Sequence, residues 1–497
     1  MSISLTRFKS NNFWNGPAGG WGLVGGRCVA MTQSGLMTKI SAALAGLLLA
    51  VGWPAGAGPK GNPQASDEPV TVSSDHPRLF LRPARLRLLK RERERASARW
   101  QQFDAFLAGN APLPEPGWAL ALYYQISGNA AAGRQAVAWA LGPGADLRQL
   151  ALVFDWCQDL LSEQQRRDLA ARLQKGMAAD AANDSIAAVR SRVLAAVALF
   201  DHVPEAPQRE LEGVVRNWWN GKMAPAIKKG SSVVARDDAY PLFELLHAMR
   251  DSTTLDLREC CPRFFKDFPI EHLVSHYPAV YEAPENEYRI GPPLKPDQPD
   301  LRLAALSRAA ELAMVAYDVN AAESQVLQGW LMHDQFMLRG TFGAPYEFLW
   351  ANPYQPGLSY YLAPLVYHNP DSGRLFIRSS WEDDARWFAY FDGGAQMFAD
   401  GHLTVVNPRS VAAPISLGEA VVCLGPCARK FRVKLEEEEA AFVVGLDPRR
   451  TYQVEIDDEE VLEAVTDAGG IIELDLPHGK EVGVRIREAP PLPAPGP

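Results

Sequence analysis

The sequence predicts an α+β multidomain protein, in which an incomplete α/α toroid of helical hairpins is followed by an antiparallel β-sheet or sandwich domain. Two observations carry this prediction. Before residue 360, apolar residues recur at helical spacing, whereas after residue 373 they alternate with polar residues at the period of a strand. The change of period falls within 373–402, where two short apolar runs rich in β-forming residues flank an acidic turn.

Helical hairpins with short turns follow one another in the first part of the chain. The helix predicted at 130–141 stops at a Gly-Pro-Gly turn, and Ser162 with Gln165 forms a capping box that opens another helix. Further helices are predicted at 118–126, 186–200, 208–220, 239–250, 301–317 and 321–338. Alanine-rich hairpins stacked side by side favour a toroid over a compact bundle. An irregular α-solenoid used for binding is the alternative.

The second part of the chain predicts strands. The β-forming runs at 375–377 and 387–391 are separated by an acidic turn, which predicts a pair of strands. Apolar residues alternate with polar ones at 431–435, 452–456, 472–476 and 482–486. Such alternation is typical of antiparallel strands that bury one face.

The N-terminal segment 1–57 is interpreted as a wrongly assigned start followed by a signal peptide at 37–57. A lysine after Met37, an apolar run at 40–51 and the Ala-Gly-Ala site at 55–57 follow the order of a secretory signal. The apolar run is shorter than the about 20 residues of a membrane-spanning helix. A structural or amphipathic helix is the alternative. We therefore expect a periplasmic or secreted protein whose mature form has no membrane span.

The other predicted boundaries follow from composition. A linker is expected at 58–75, the toroid at 76–360, the β-domain at 373–487 and a disordered Pro-rich tail at 488–497.

Composition limits the classes of partner. The chain has 497 residues and a formal net charge of −9, which argues against nucleic acid as the default partner. The six cysteines show no zinc-finger or CxxC spacing, so no metal or cofactor is expected. Cys423 and Cys427 could close a small disulfide loop in an oxidising compartment.

Two stretches resemble heparinase II/III-like polysaccharide lyases. The segment 377–381 reads IRSSW and leads through an acidic turn and an aromatic strand into a histidine-containing loop, as at the start of the β-domain in that family. The segment 76–79 reads HPRL, which resembles the family's entry into the toroid. The resemblance implies a toroid with a β-domain and a secreted lyase that acts on an acidic polysaccharide or oligosaccharide containing uronic acid.

The chemistry of such a lyase is β-elimination. The proton on C5 of the uronic acid is removed and the 4-linked sugar leaves, so the neighbouring carboxylate must be neutralised while negative charge develops. The resemblance implies Asn183, Tyr240 and His402 as catalytic residues. Asn183 is also a good helix N-cap, and a tyrosine at a helix start is commonly a packed aromatic residue.

The loop around His402 departs from the family pattern, which tends to carry a fuller H-x-H-x-D sequence. If Asp400 matches the family aspartate, Phe398 stands where a histidine is expected and no group for proton transfer remains there. If His402 matches the family histidine instead, a group for proton transfer remains in this loop. The alternative for His402 is a turn residue bonded to Asp400.

Three arginines, Arg236, Arg289 and Arg378, are predicted to bind substrate carboxylates. The pair Lys228 and Lys229 could contribute, although neighbouring lysines are usually a solvated surface. The remaining histidines show no ligand-like spacing on a common face and are predicted to be structural: His202, His247, His272, His276, His333 and His368.

Three function classes remain open. The first is the lyase, and the second is a non-catalytic glycan-binding or scaffold protein on the same fold. The third is a toroid glycoside hydrolase that pairs Asp155 with Asp237 or Asp238, since such enzymes use two carboxylates. A new double bond in the product separates the first class from the other two.

Overall fold

The structure is a computed structural model that describes residues 69–253, 255–335, 338–437 and 439–489, all within one compact unit. The predicted signal peptide, the linker up to residue 68 and the tail from residue 490 lie outside these residues. Among the residues described, no helix combines the length and the apolar character needed to cross a membrane.

The first part of the described chain consists of α-helices. Their bounds are α1 Pro83–Glu94, α2 Ala98–Ala108, α3 Pro116–Ser127, α4 Ala130–Leu141, α5 Leu147–Trp156, α6 Glu163–Ala179, α7 Ile186–Leu199, α8 Ala206–Gly213, α9 Ala224–Lys228, α10 Ala239–Thr253, α11 Pro262–Val274, α12 Leu301–Tyr317, α13 Ala322–His333 and α14 Gly340–Trp350. A π-helix, Val214–Met223, follows α8, so the helix predicted at 208–220 is divided in two. The capping box of Ser162 and Gln165 opens α6 as predicted.

Six of these helices form an inner row. Each of α3, α5, α7, α10, α12 and α14 packs against the next, and α2 against α14 with α1 against α3 brings the two ends of the row together. All residues of α5 after Leu147 are buried. A helix that is buried all round must lie inside the structure, so the row is the inner layer of an α/α toroid.

Some elements of the helical part are not predicted from the sequence. Helices α11 and α14 each contain a proline, Pro269 and Pro345, which locally opposes a helix. A short antiparallel hairpin of β1 Val280–Glu282 and β2 Glu287–Arg289 also interrupts the helices. Tertiary packing overrides the local signals at all three places.

The second part of the chain is built from strands. Their bounds are β3 Val366–Asn369, β4 Arg374–Arg378, β5 Trp387–Phe391, β6 Gly394–Ala399, β7 His402–Val406, β8 Ile415–Ser416, β9 Ala420–Leu424, β10 Lys430–Lys434, β11 Ala440–Val444, β12 Thr451–Ile456, β13 Glu460–Val465, β14 Ile472–Leu474 and β15 Glu481–Glu488. The predicted pair of aromatic strands is β4 and β5, with Phe376 opposite Ala389.

These strands form three sheets. The first sheet has the order β3-β4-β5-β6-β7, the second β14-β11-β9-β8 and the third β10-β15-β12-β13. Pairing between the described strands is antiparallel except for the parallel pair β9 and β11. The fold is therefore the predicted helical part followed by a β part.

The sheets are stacked in layers. One face of the first sheet packs against the helices and the other against the second sheet, whose opposite face packs against the third. The middle layer is covered on both sides, and all residues of β9 are accordingly buried. Cys423 and Cys427 are free thiols in the core between the second and third sheets.

Two glycines allow close backbone packing at the β3–β4 turn. Gly230, before α10, has φ +76°, and a Cβ there would lie 1.6 Å from the carbonyl oxygen of Asp371 in the β3–β4 turn. In the same turn Gly373 has φ +65°, and its Cβ would lie 2.0 Å from the backbone nitrogen of Gly469. Only glycine fits both the backbone conformation and the space.

The buried acid Glu347 in α14 makes the stability of the toroid depend on pH. Its side chain is 6% exposed, and burial raises its pKa from 4.5 to about 7. The folded state therefore loses stability as the pH rises from 4.5 to 7, because only the unfolded chain ionises freely in that range. The shift corresponds to roughly 3 kcal/mol.

We predict that Glu347→Gln gains stability relative to the parent protein as the pH rises from 4.5 to 8, by up to about 3 kcal/mol. Chemical denaturation of both proteins at the two pH values measures this difference, and all groups common to the two proteins cancel. A difference that does not change with pH would show that Glu347 ionises normally in the folded protein.

Candidate functional site

The helical part and the first sheet meet at the C-terminal end of α11. The indole of Trp387 donates to the carbonyl oxygen of Val274 at 3.0 Å, and Arg378 donates to that of His276 at 2.8 Å. Glu271 accepts from Arg374 of β4 at 2.7 Å. These contacts hold the first sheet against the C-terminal end of α11.

A cavity of about 300 Å³ opens at this meeting point and is named here the junction cavity. It is lined by Ser232, Val234, Ala235, Arg236, Phe268, Glu271, His272, Ser275, Pro292, Pro293, Arg374, Phe376, Phe391 and Asp392. A second cavity of about 270 Å³, the helical cavity, shares Ser232, Val234, Phe268, Glu271 and Arg374 with it. The two are therefore neighbouring parts of one cleft between the toroid and the first sheet, and clefts of this kind are the usual place for ligands.

Arg236 lines the junction cavity. Its guanidinium donates to Nε2 of His272 at 3.0 Å, to the hydroxyl of Ser307 at 2.8 Å and to the carbonyl oxygen of His272 at 2.7 Å, and it also contacts Ser275. Burial lowers the pKa of Arg236 to about 10, so the group stays cationic at neutral pH. A guanidinium held this way is suited to a carboxylate.

The imidazoles of His272 and His276 lie against the buried carboxylate of Glu311. Nε2 of His276 is 2.5 Å from a carboxylate oxygen of Glu311, and Nε2 of His272 is 3.4 Å from the same oxygen. Burial, followed by the charge of Arg236, lowers the pKa of His272 to about 4 and that of His276 to about 3. Both rings are neutral at physiological pH.

These two histidines were predicted to be structural and without a common face, and the structure corrects this. His272, His276 and Glu311 have ligand atoms within 4.8 Å of one another. The spacing of four residues between the histidines is the signal that should have joined them. Arg236 lies 3.0 Å and 3.5 Å from the two Nε2 atoms, so a guanidinium already supplies the positive charge that a metal ion would bring. We therefore assign no metal to this cluster.

Tyr240, predicted to be catalytic, lies inside the toroid in a buried polar network. Its hydroxyl donates to Glu244 at 2.7 Å and accepts from the indole of Trp350 at 3.1 Å. Although burial opposes it, the charges of Arg148 and Arg190 lower the pKa of Glu244 to about 2. The hydroxyl is thus committed to an ionised carboxylate, and Tyr240 is only 1% exposed.

Asn183 and His402 are exposed and lie on separate elements. Asn183 precedes α7, and its side chain accepts from the backbone of Ser185, which is itself the N-cap of the helix. His402 begins β7 after a turn in which Asp400 and Gly401 have positive φ. Within the described part of the chain, no hydrogen bond joins Asn183, Tyr240 and His402 to one another, nor His402 to Asp400. Their assignment as a catalytic set stays a prediction.

Phe398 stands at the alternative family position and faces the helices. It is 2% exposed and stacks on Tyr277, with ring centroids 5.6 Å apart. This contact fills the junction between the sheet and the helical part with two aromatic rings.

Arg289 and Arg378, the other predicted substrate ligands, are buried in structural contacts. Arg289 pairs with Asp334 at 3.0 Å and with Asp383 at 2.8 Å. Arg378 donates to backbone carbonyls and lies over the ring of Trp381, and burial lowers its pKa to about 9. Of the three arginines, Arg236 is the one that lines the junction cavity.

The carboxylates considered for a glycoside hydrolase lie in different surroundings. Asp155 is buried and accepts from His76 and from the backbone of Arg78 and Leu79, so it anchors the HPRL segment to α5. Burial and then the neighbouring Asp237 raise the pKa of Asp238.

Comparisons with known proteins add little to this geometry. Neither a family profile nor a curated protein matches the sequence. One of the solved structures that match is a glycoside hydrolase with 11% identity, a TM-score of 0.28 and coverage of 75% of this chain and 71% of that one. A likeness at this TM-score supports no conclusion about function.

We predict that Tyr240→Phe destabilises the protein. The change leaves the indole of Trp350 without its acceptor and removes one donor from Glu244, and each unsatisfied buried group costs about 1–3 kcal/mol. Thermal or chemical denaturation of the variant measures the loss. Tyr123→Phe, at a half-buried hydroxyl that donates to Asp104, is the matched control and should cost less. Equal stability of Tyr240→Phe and the parent would contradict the network described above.

Proposed function

We propose that the protein is a polysaccharide lyase that cleaves a uronic-acid-containing glycan in the cleft between the toroid and the first sheet. The observation that carries the proposal is the junction cavity, where a cationic guanidinium and a neutral imidazole, Arg236 and His272, line one space. Elimination needs these two kinds of group at one sugar, the first at its carboxylate and the second at the proton on C5. The imidazole takes this proton and returns it to the glycosidic oxygen as the C4–O bond breaks and the double bond forms between C4 and C5.

The contact between Arg236 and His272 suggests how substrate would start the reaction. In the structure the guanidinium donates to Nε2 of His272 and so occupies the lone pair that would accept a proton. A uronate carboxylate that draws Arg236 towards itself would free this lone pair. It would also offset the positive charge that, after burial, lowers the pKa of the imidazole. The base would thus become stronger only when substrate is bound.

The resemblance assigns proton transfer to Tyr240 and His402 with Asn183 beside them, and this assignment remains the alternative. For Tyr240 to act, its hydroxyl must leave Glu244 and Trp350. The proposal also places the enzyme in the periplasm or outside the cell, and this rests on the signal-like order of residues 37–57.

A non-catalytic glycan-binding protein is the second candidate function. The observation that favours it is that Tyr240 is enclosed while Asn183 and His402 are exposed elsewhere. A protein of this kind would bind uronate polymers in the same cleft and release no unsaturated ends.

We predict that the full-length protein produces ultraviolet-absorbing unsaturated ends from at least one polymer in a panel of uronate glycans. Arg236→Ala should lower kcat/KM by about 10²–10³-fold, because the carboxylate then loses its partner while charge develops. Arg432→Ala, which removes an exposed arginine from β10 in the third sheet, is the control and should keep full activity. Binding of polymers without unsaturated ends would instead support the glycan-binding function.

A further prediction separates the two assignments of the base. His272→Gln should lower kcat by about 10²–10⁴-fold, whereas Tyr240→Phe should retain most activity when it is assayed well below its melting temperature. Single-turnover rates on one active polymer measure both variants. A large loss in Tyr240→Phe with near-normal activity in His272→Gln would return the assignment to Tyr240.

A further inference from the structure

Two cysteines of the β part lie side by side between the second and third sheets. Cys423 is in β9, and Cys427 is in the 3₁₀-helix Gly425–Ala428 that directly follows this strand. Each is 1% exposed, and both belong to the core between these sheets. The thiol of Cys423 donates a hydrogen bond to the sulfur of Cys427, so the two groups are in direct contact.

Backbone packing holds the turn between these two cysteines. Gly425 has φ +65°, and a Cβ there would lie 1.8 Å from the carbonyl oxygen of Pro408, so glycine alone suits this position. The 3₁₀-helix that begins at Gly425 packs against β9 and β11 of the second sheet and against β10 of the third. The two sulfurs therefore lie where the chain passes from one sheet to the other.

The other cysteines in the described part of the chain form no comparable pair. Cys157 lies in the core of the toroid, directly after α5. Cys260 and Cys261 are neighbours in the chain, and their thiols donate to Asn220 and to the carbonyl oxygen of Ala224. Neighbouring Cα atoms are about 3.8 Å apart, which is closer than a disulfide usually spans.

We propose that Cys423 and Cys427 form a disulfide when the protein is made in an oxidising compartment, and that this bond ties the second sheet to the turn that enters the third. The proposal rests on the contact between the two sulfurs and not on the lyase reaction. Buried cysteines that stay reduced act as small apolar residues, and this is the other role open to the pair.

The bond forms by thiol–disulfide exchange with a disulfide-bearing oxidant, such as oxidised glutathione. The thiolate of Cys427 attacks one sulfur of the oxidant and releases a thiol. Cys423 then loses its proton, and its thiolate attacks the sulfur of Cys427 and releases the second thiol. The protein gives up two protons and two electrons in total, and the disulfide of the oxidant is reduced to two thiols.

The hydrogen bond between the sulfurs favours this order of attack. Although burial opposes it, the hydrogen bond from Cys423 lowers the pKa of Cys427, so Cys427 is the first of the two to ionise. Because both sulfurs are buried in the folded protein, the exchange takes place before the second and third sheets close over the pair. The same burial then shields the finished bond from reductants.

Refolding of the full-length protein tests the proposal. Reduced, denatured protein is refolded in a buffer of oxidised and reduced glutathione or in dithiothreitol, and free thiols are then alkylated in denaturant. After the first refolding we expect peptide mass spectrometry to find Cys423 linked to Cys427, with the loss of two hydrogens. After the second, both should be alkylated. Cys157, Cys260 and Cys261 should be alkylated in both samples.

The bond should also raise the Tm of the protein refolded in glutathione above that of the reduced protein, by about 1–4 °C, because the loop it closes is short. The double variant Cys423→Ala and Cys427→Ala should show no such difference. The matched control, Cys260→Ala with Cys261→Ala, should keep it. The mass measurement on the parent protein does not depend on how well either variant folds.

Alkylation of both Cys423 and Cys427 after refolding in the glutathione buffer would overturn the proposal and leave the pair as apolar core residues. A linkage of either one to a different cysteine would overturn it as well. Equal Tm values for the linked and the reduced protein would contradict the tie between the sheets. None of these measurements uses a glycan, so failure of the lyase proposal and failure of the disulfide are separate results.

Discussion

A buried carboxylate, that of Glu311, sets the arrangement of the junction between the toroid and the first sheet. The side chain is 0% exposed, and a buried charge that loses its partner costs about 3–5 kcal/mol. Arg308 pairs with it at 2.9 Å and His276 hydrogen-bonds to it at 2.5 Å. Although burial opposes them, these two contacts hold the pKa of Glu311 well below the usual range. Arg236 follows as a second cation beside the same cluster. The geometry of the candidate site is thus a consequence of neutralising one interior charge.

The same charge chain ties the toroid to the β part. Arg308 pairs with Asp334, Asp334 pairs with Arg289, and Arg289 reaches Asp383 in the acidic turn after β4. The acidic turn, which the sequence predicts as the connection between two strands, therefore also binds the β part to the helical part through Asp383. Charged residues joined in this way link the helical part to the β part.

The fold could be predicted where one face of a helix or strand is buried and the other is exposed to solvent. The strands β10, β12 and β15 show this alternation in their burial as they do in their sequence. In contrast, β9 lies between two sheets and α11 contains Pro269, so neither carries a readable periodic signal. The stacking of the three sheets was therefore not predicted from the sequence.

The candidate site was less readable than the fold. Arg236 was predicted as a ligand for carboxylates and lines the junction cavity. The spacing of His272 and His276 could have joined these two residues, but their partners, Ser307 and Glu311, come from another helix and could not be predicted. The role of Glu244 as partner of Tyr240 was missed as well, since one of the arginines that compensate it, Arg148, lies two inner-row helices away in sequence order. Interior ion pairs leave no local pattern.

The two glycine contacts at the β3–β4 turn restrict how far the walls of the cleft can move. Gly230 touches Asp371 and Gly373 touches Gly469, so one turn is clamped between the toroid and the segment that enters the second sheet. A methyl group at either position would wedge these layers apart, and a hinge motion would have to break both contacts at once. The close contacts at this turn therefore fix the separation of the layers on either side of it. New ligand preferences would arise by exchange of the side chains that line the cleft.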